Sequence, residues 1–202
     1  MAQDGSAELD VLLADLTAAE VADLGRKWMA AAQSGRADDM LELVDQGADI
    51  EFKCEQRFTA LIWAAHRGHT ECARLLVECG ADKDATDSYK WTALMCAARA
   101  GRTETVRLLV QSGADVDAKD MDGDTALVLA AEAGHADCVR LLVEGAAGTV
   151  TETSQYLAAL ALAQGNNRQD IVSALTGSRA VSPSVVAAAP PFSVSFAAPP
   201  TI

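Results

Sequence analysis

Apolar positions recur along this chain with a period of 33 residues. Within each period, two short apolar segments have the spacing of amphipathic helices, and a polar, turn-rich segment follows them. Four landmarks keep this step: Thr-Ala-Leu from positions 59, 92 and 125, glycine at 68, 101 and 134, Leu-Leu-Val from 75, 108 and 141, and Gly-Ala-Asp from 47, 80 and 113. The pattern predicts stacked units of helix, turn, helix and extended finger.

Each unit carries local signals for the ends of its first helix. Thr59 stands where its hydroxyl can accept hydrogen bonds from the free amides of the first turn. Gly68 follows the last helical residue, where a left-handed backbone is needed. In the second helix we expect Leu108 to fill the layer between units. One unit alone cannot bury its apolar face, so stacking is required, and it is helped by small Ala-Ala pairs at 64–65, 97–98 and 130–131.

The same register extends beyond the three clearest units. Stepping backward aligns Trp28 with Leu61, and stepping forward aligns Leu160 with Leu127. Degenerate outer units of this kind are typical of solenoid caps. We predict an N-terminal helical cap over 1–25, a degenerate first repeat over 26–58, repeats over 59–91, 92–124 and 125–157, a degenerate capping repeat over 158–177 and a disordered tail rich in Pro, Ala and Ser over 178–202.

Three features mark the two ends of the chain. Residues 17–20 have the pattern of a capping box, and leucines at 9, 12, 13 and 16 indicate a further short helix before it. Near the other end, Asn167 stands where the clearest units have glycine. All five prolines of the chain lie in the tail, which we expect to be dispensable for folding.

The units resemble those of the ankyrin-repeat family. A repeat of that family has the same length and runs Asp-x-x-Gly-x-Thr-Pro-Leu-His-x-Ala-Ala, then Gly-His, then an apolar helix ending in Gly-Ala-Asp. Residues 120–142 match this pattern closely, but Thr-Ala-Leu replaces Thr-Pro-Leu, and Ile62, Met95 and Val128 replace the first histidine. The resemblance covers about residues 26–177 and implies an all-α solenoid of stacked helix-turn-helix units with β-hairpin-like fingers.

Net charge, the length of apolar runs and cysteine content limit which partners and which cellular compartment we expect. The formal net charge of -13 repels phosphate backbones and anionic lipid surfaces, so neither nucleic acid nor a membrane is an expected partner. No signal-peptide pattern opens the chain, and no apolar run is long enough to cross a bilayer. The five cysteines are odd in number and include no Cys-x-x-Cys pair, which favours reduced thiols in the cytoplasm or, alternatively, the nucleus.

The candidate chemical motifs favour structural interpretations. His69 and His135 stand near carboxylates, but both occupy the junction between the two helices of a unit, and no nucleophile accompanies them. The segment Asp120–Asp124 resembles a calcium loop, but its glycine comes too early and Ala131 occupies the twelfth position. We therefore predict no catalytic residue, cofactor, metal ion or small-molecule substrate.

The resemblance implies a binding face made by the finger tips and the exposed edge of the first helices, on the concave side of the stack. The candidate contact residues are Arg57, Phe58, His66 and Arg67 in the second unit, Tyr89, Lys90, Trp91 and Arg99 in the third, and Met121, Asp122, Asp124 and Glu132 in the fourth. The aromatic rings at these tips either contact a partner or pack on neighbouring fingers. Because the charges run from basic to acidic, we expect opposite charge to orient the partner, with an exposed Trp91 as the main anchor.

Three arginines share one position of the second helix, namely Arg74, Arg107 and Arg140, and each has an acidic residue three positions earlier. They form either a binding stripe or a solvated outer face with local ion pairs, and the second interpretation is favoured. Taken with the absence of catalytic residues, the sequence predicts a non-enzymatic adaptor or regulatory subunit that binds another protein and is monomeric alone. The alternative is a structural or assembly factor built permanently into a larger complex.

Overall fold

The computed structural model of this chain describes residues 18–145 and 154–177. Within these residues the chain forms ten α-helices and no strands. In chain order they are α1 (Ala18–Ser34), α2 (Ala37–Asp45), α3 (Ala60–Arg67), α4 (Thr70–Glu78), α5 (Ala93–Arg99), α6 (Thr103–Gln111), α7 (Ala126–Ala133), α8 (Ala136–Gly145), α9 (Ser154–Gly165) and α10 (Gln169–Gly177).

Successive helices pair, and the pairs stack in two layers. The first helices of neighbouring pairs (α1, α3, α5, α7 and α9) pack on one another, and so do the second helices (α2, α4, α6, α8 and α10). The Ala-Ala pairs of α3, α5 and α7 are fully buried, which lets the first helices approach closely. The predicted all-α solenoid of helix-turn-helix units is confirmed.

Threonine caps the first helix in two of the three clearest units. The hydroxyl of Thr59 accepts a hydrogen bond from the Ile62 amide at 3.3 Å, and Thr92 accepts one from the Met95 amide at 3.3 Å. Thr125 occupies the same position, but its hydroxyl is buried and makes no hydrogen bond within the described part of the chain. The capping prediction therefore holds for the second and third units, and the fourth unit keeps the threonine without the bond.

The glycines at the helix-helix junctions adopt a left-handed backbone and leave room for a side chain of the next unit. Gly68 ends α3 with φ +79°, and an added Cβ there would lie 2.7 Å from Cδ of Arg102 in the next unit. A Cβ on Gly101 would lie 2.6 Å from the ring of His135. Asn167, at the same repeat position, has φ +54°, and asparagine tolerates this conformation better than most residues.

The side chains that fill those spaces connect neighbouring units. Each comes from one repeat position and hydrogen-bonds a carbonyl at the end of the preceding first helix: His69 to Gln33 at 3.1 Å, Arg102 to His66 at 3.1 Å, His135 to Arg99 at 3.1 Å and Arg168 to Ala131 at 3.4 Å. A carbonyl can only accept, so each histidine donates through Nε2. These bonds give His69 and His135 a structural role between units.

The second helices bury one of their two adjacent leucines. Leu109 is 0% exposed, whereas Leu108 is only partly buried. In the second unit Leu76 is likewise buried and Leu75 partly so. The expectation that Leu108 fills the layer between units is therefore wrong, because adjacent residues point about 100° apart around a helix and only one can face the layer.

In the first unit, helix α1 is continuous over 17 residues and spans residues 25 and 26, between which we predict the N-terminal cap and the first repeat to divide. Trp28 is fully buried, and the ring of Phe52 packs so closely over Gly25 that a Cβ there would collide with it. The helix predicted before the capping box, residues 146–153 and the predicted tail over 178–202 lie outside the described residues. Of the predicted capping box over 17–20, Thr17 lies outside them and Ala18 begins α1.

Candidate partner-binding surface

The fingers of the second, third and fourth units are tight turns with a shared hydrogen-bond pattern. In each turn the first amide donates to the last carbonyl, at 3.2 Å in 54–58, 3.1 Å in 87–91 and 3.0 Å in 120–124. We call these three segments the finger turns. They match the predicted hairpin-like fingers in outline, although the described residues contain no strand.

Hydrogen bonds also run from one finger turn to the next. The Ser88 amide donates to the Gln56 carbonyl at 3.3 Å, and the Met121 amide donates to the Tyr89 carbonyl at 3.3 Å. The Gln155 side chain extends the row by donating to the Gly123 carbonyl at 3.1 Å. The tips therefore form one connected row across three units.

A buried aspartate organises two of the three turns. Asp87 Oδ1 accepts the amides of Tyr89 and Trp91, both at 2.8 Å. Asp120 Oδ1 accepts two amides in the same way, at 3.0 and 2.9 Å. Burial raises the pKa of Asp87, and the two backbone hydrogen bonds oppose that shift. The second-unit turn has Cys54 at this position, so it lacks the carboxylate acceptor.

The fourth residue of each turn has a left-handed backbone. It is Gly123 in the fourth unit, with φ +87°, but Arg57 in the second, with φ +63°, and Lys90 in the third, with φ +61°. Glycine adopts such angles at no steric cost, whereas a residue with a Cβ does not. Two of the finger turns thus place a basic side chain at a strained position.

The rings of the second unit pack on one another. The Phe58 and Trp63 ring centroids are 5.2 Å apart, and His66 meets the Trp63 ring edge-on at 6.5 Å. The Arg67 guanidinium lies 5.9 Å from the centroid of the Trp63 ring. Phe58 is partly buried against the core, so for this ring the packing interpretation applies. Burial lowers the pKa of His66, and the charges of Arg67 and Arg102 lower it further.

Sequence reasoning missed Trp63, the centre of this cluster. It shares its repeat position with Cys96 and Leu129, so the available signal was a large aromatic ring where the other units have a smaller apolar side chain. Trp63 is largely buried, and its indole N–H has no hydrogen-bond partner among the residues that the structure describes.

In the third unit, the ring of Trp91 is covered by a neighbouring charge. The Arg99 guanidinium lies 5.3 Å from the Trp91 ring centroid and also pairs with Glu132 of the fourth unit at 3.8 Å. Trp91 is partly buried and packed against the core. The expectation of an exposed Trp91 ring is therefore wrong, and the opposite charges of Arg99 and Glu132 partly satisfy each other.

The most exposed apolar side chains of the candidate set lie on neighbouring tips. Tyr89 is 49% exposed and Met121 is 65% exposed, and their backbones are hydrogen-bonded. Beside them, Asp122 is exposed and Asp124 is partly buried. Burial raises the pKa of Asp124, and the charges of Asp120, Glu132 and Asp122 raise it further.

Comparison with known families agrees with this architecture. A family model described as ankyrin repeats (3 copies) matches residues 28–120 and 118–185. The chain belongs to the ankyrin-repeat family. A search of curated proteins finds no match. Ankyrin repeats are generally protein-protein interaction modules and typically lack enzymatic activity.

The outer face of the ankyrin stack has the predicted local ion pairs. Arg74 lies 3.6 Å from Glu71, Arg107 lies 3.3 Å from Glu104, and Arg140 lies 2.9 Å from Asp137. All of these side chains are well exposed, so each pair contributes little to stability.

The described part of the ankyrin stack has neither a metal-binding cluster nor a membrane-spanning helix. Over residues 18–145 and 154–177, no group of three or more His, Cys, Asp or Glu side chains is arranged to hold a metal ion. None of the helices in that part of the chain combines the length and apolar character needed to cross a membrane.

Proposed function

We propose that this ankyrin-repeat protein is a non-enzymatic adaptor or regulatory subunit that binds a protein partner through the finger turns and the exposed edge of the first helices. The observation that carries the proposal is the exposed pair Tyr89 and Met121, at 49% and 65%. They are two of only three large apolar side chains exposed in the described part of the chain, and they sit on adjacent tips. Clustered exposed apolar groups are characteristic of contact surfaces.

The finger turns also support a preorganised surface. Their internal and lateral hydrogen bonds hold the tips in one row before any partner arrives. A surface that is already ordered loses less conformational entropy on binding, so more of the contact energy remains as affinity.

The proposed contact residues divide by exposure. Arg57, Arg67, Tyr89, Lys90, Met121 and Asp122 are exposed and available for direct contact. Partly buried members shape and support the surface, namely Phe58, His66, Trp91, Arg99, Asp124 and Glu132. Since Trp91 is partly buried, we expect Trp91→Ala to lower the melting temperature as well as partner affinity.

The test begins with the full chain as an affinity bait and identification of captured proteins by mass spectrometry. Binding of a candidate partner is then measured by titration calorimetry with Tyr89→Ala combined with Met121→Ala, and separately with Trp91→Ala and Arg99→Glu. Arg107→Ala on the outer face serves as the matched control. We expect affinity to fall about tenfold or more in the finger variants and to stay unchanged in the control. Wild-type affinity in all finger variants would place the interface elsewhere, and a partner that never dissociates would support the assembly-factor alternative.

A further inference from the structure

Two basic residues of the finger turns occupy a backbone conformation that suits glycine. Arg57 and Lys90 have φ +63° and +61°, at the position where the fourth unit has Gly123. Arginine and lysine carry a Cβ and cannot form the local side-chain bonds that help asparagine and aspartate in this conformation. Strained residues of this kind persist where the surrounding structure enforces them, and they cluster at ligand-contacting sites.

Contacts within the chain do not explain these two side chains. Neither lies within 4.0 Å of a carboxylate of residues 18–145 or 154–177, and both are exposed. Among the arginines the structure describes, all others contact a carboxylate, a backbone carbonyl or an aromatic ring, and Arg57 alone does not. Arg57 is therefore exceptional among the described arginines, whereas Lys90 shares the lack of a described ion pair with Lys53, Lys83 and Lys119.

The two bases lie on neighbouring tips with an exposed ring beside them. Lys90 directly follows Tyr89, and the hydrogen bond from Ser88 to Gln56 joins their turn to that of Arg57. Neighbouring helices pack about 8–10 Å apart, which sets the step from one tip to the next. A polyproline-type segment repeats its side-chain direction every three residues and rises about 3.1 Å per residue, so it matches this step.

We propose that Arg57 and Lys90 form the cationic contacts of a site for an acidic, extended segment of the partner protein, with Tyr89, which precedes Lys90 in the same turn, as the apolar contact. The proposal rests on the proposed function and specifies its partner. Carboxylates three residues apart would meet the two bases in turn. Asp122 on the next tip repels the same segment, which confines its acidic part to the second and third units.

The overall charge of the chain makes this site easy to recognise experimentally. A net charge of -13 repels acidic peptides from the surface in general. Binding of such a peptide therefore requires a local basic site, and it should weaken as salt screens the attraction.

The test is fluorescence anisotropy of the full chain with a labelled peptide of about twelve residues, made of Glu, Pro, Ser and one Tyr, with glutamate at every third position. A second peptide has lysine in place of each glutamate. We expect saturable binding of the glutamate peptide alone. Arg57→Gly combined with Lys90→Gly should weaken it about tenfold or more, and should raise the melting temperature because the strain is removed.

Two further double variants show whether a loss of peptide binding comes from the lost charge or from a more flexible backbone. Arg57→Asn combined with Lys90→Asn tolerates the left-handed conformation without the flexibility of glycine, and should lose binding to the same extent. Arg74→Gln combined with Arg107→Gln removes equal charge from the outer face and should bind within about twofold of wild type.

Failure of this inference is distinct from failure of the proposed function. No binding of the glutamate peptide, equal binding of the lysine peptide, or full binding by the glycine and asparagine variants would overturn the acidic-segment site. The proposed function would survive those results if Tyr89→Ala combined with Met121→Ala still weakened capture of the natural partner. Partner capture that no finger variant affects would overturn both.

Discussion

The outer face and the finger turns differ in how their basic residues are paired with acidic ones. On the outer face, Arg74, Arg107 and Arg140 repeat the same ion pair with an acid three residues earlier. On the finger turns, Arg57 and Lys90 form no ion pair with any acidic residue that the structure describes. The outer face repeats one ion pair in the second, third and fourth units, whereas the finger turns change from unit to unit and keep basic charges available. The repeated features thus serve the stack, and the varied ones are where a partner can be recognised.

The largest expected effect lies on the buried side of the second helices. Leu109→Ala removes a fully buried side chain from the layer between units and should lower the free energy of unfolding by about 2–5 kcal/mol. The matched variant Leu108→Ala truncates a partly buried neighbour and should cost clearly less. Urea denaturation of both variants measures the difference. Equal losses would show that the two leucines share the layer.

Next in size is the aspartate that organises a finger turn. Asp120→Ala removes the acceptor of two backbone amides and should destabilise the chain by about 2 kcal/mol. Asp120→Asn keeps an acceptor oxygen and should cost less. Thermal unfolding monitored by circular dichroism compares the two. A loss no greater in the alanine variant than in the asparagine variant would mean that these amides are satisfied by other groups.

The converse change tests whether the second-unit turn lacks the same support. Cys54→Asp places a carboxylate at the repeat position of Asp87 and Asp120, next to the positive charge of Arg57. We expect a gain of about 1 kcal/mol in the free energy of unfolding. Cys54→Ala is the control, because it removes the thiol without adding an acceptor. If both variants behave alike in chemical denaturation, the acceptor is not what distinguishes the turns.

Much of this architecture could be predicted from the step of 33 residues. The step aligns Leu109 with Leu76, which shares a helical face with Ala73, so the buried leucine could be predicted, and it aligns Leu108 with the partly buried Leu75. The packing of Phe58 on Trp63 could not be predicted in this way, because it depends on how the turn meets the first helix.

Two further features of the surface could be predicted from the same 33-residue alignment. Arg99 and Glu132 occupy one repeat position in adjacent units, so their ion pair follows from stacking. The positive φ angles of Arg57 and Lys90 follow in the same way from their alignment with Gly123. An interpretation of these residues by their charge alone predicts neither the ion pair nor the strained backbone.

A smaller effect is expected from the crowded carboxylates of the fourth unit. Burial and the nearby charges of Asp120, Glu132 and Asp122 raise the pKa of Asp124 in the folded chain. Asp124 therefore holds its proton more tightly in the folded state than in the unfolded state. Above the folded-state pKa the ionised carboxylate destabilises the fold, and this destabilisation is lost as the pH falls through that pKa. Asp124→Asn should raise the melting temperature at pH 7, and its advantage should shrink towards pH 4. Melting curves of wild type and variant across this range provide the check, and a difference independent of pH would assign the effect to packing.

The smallest effect belongs to the outer-face ion pairs. Arg107→Ala breaks a contact of 3.3 Å with Glu104, but both side chains are well exposed and solvent screens their attraction. The loss should therefore be a few tenths of a kcal/mol in the free energy of unfolding, and it should vanish at high salt. Partner affinity should not change, since the residue lies on the face that already satisfies its charges. Chemical denaturation at low and high salt, with partner titration alongside, tests both statements. Loss of partner binding in Arg107→Ala with the fold intact would make the outer arginines a binding stripe and reverse the contrast between the two faces.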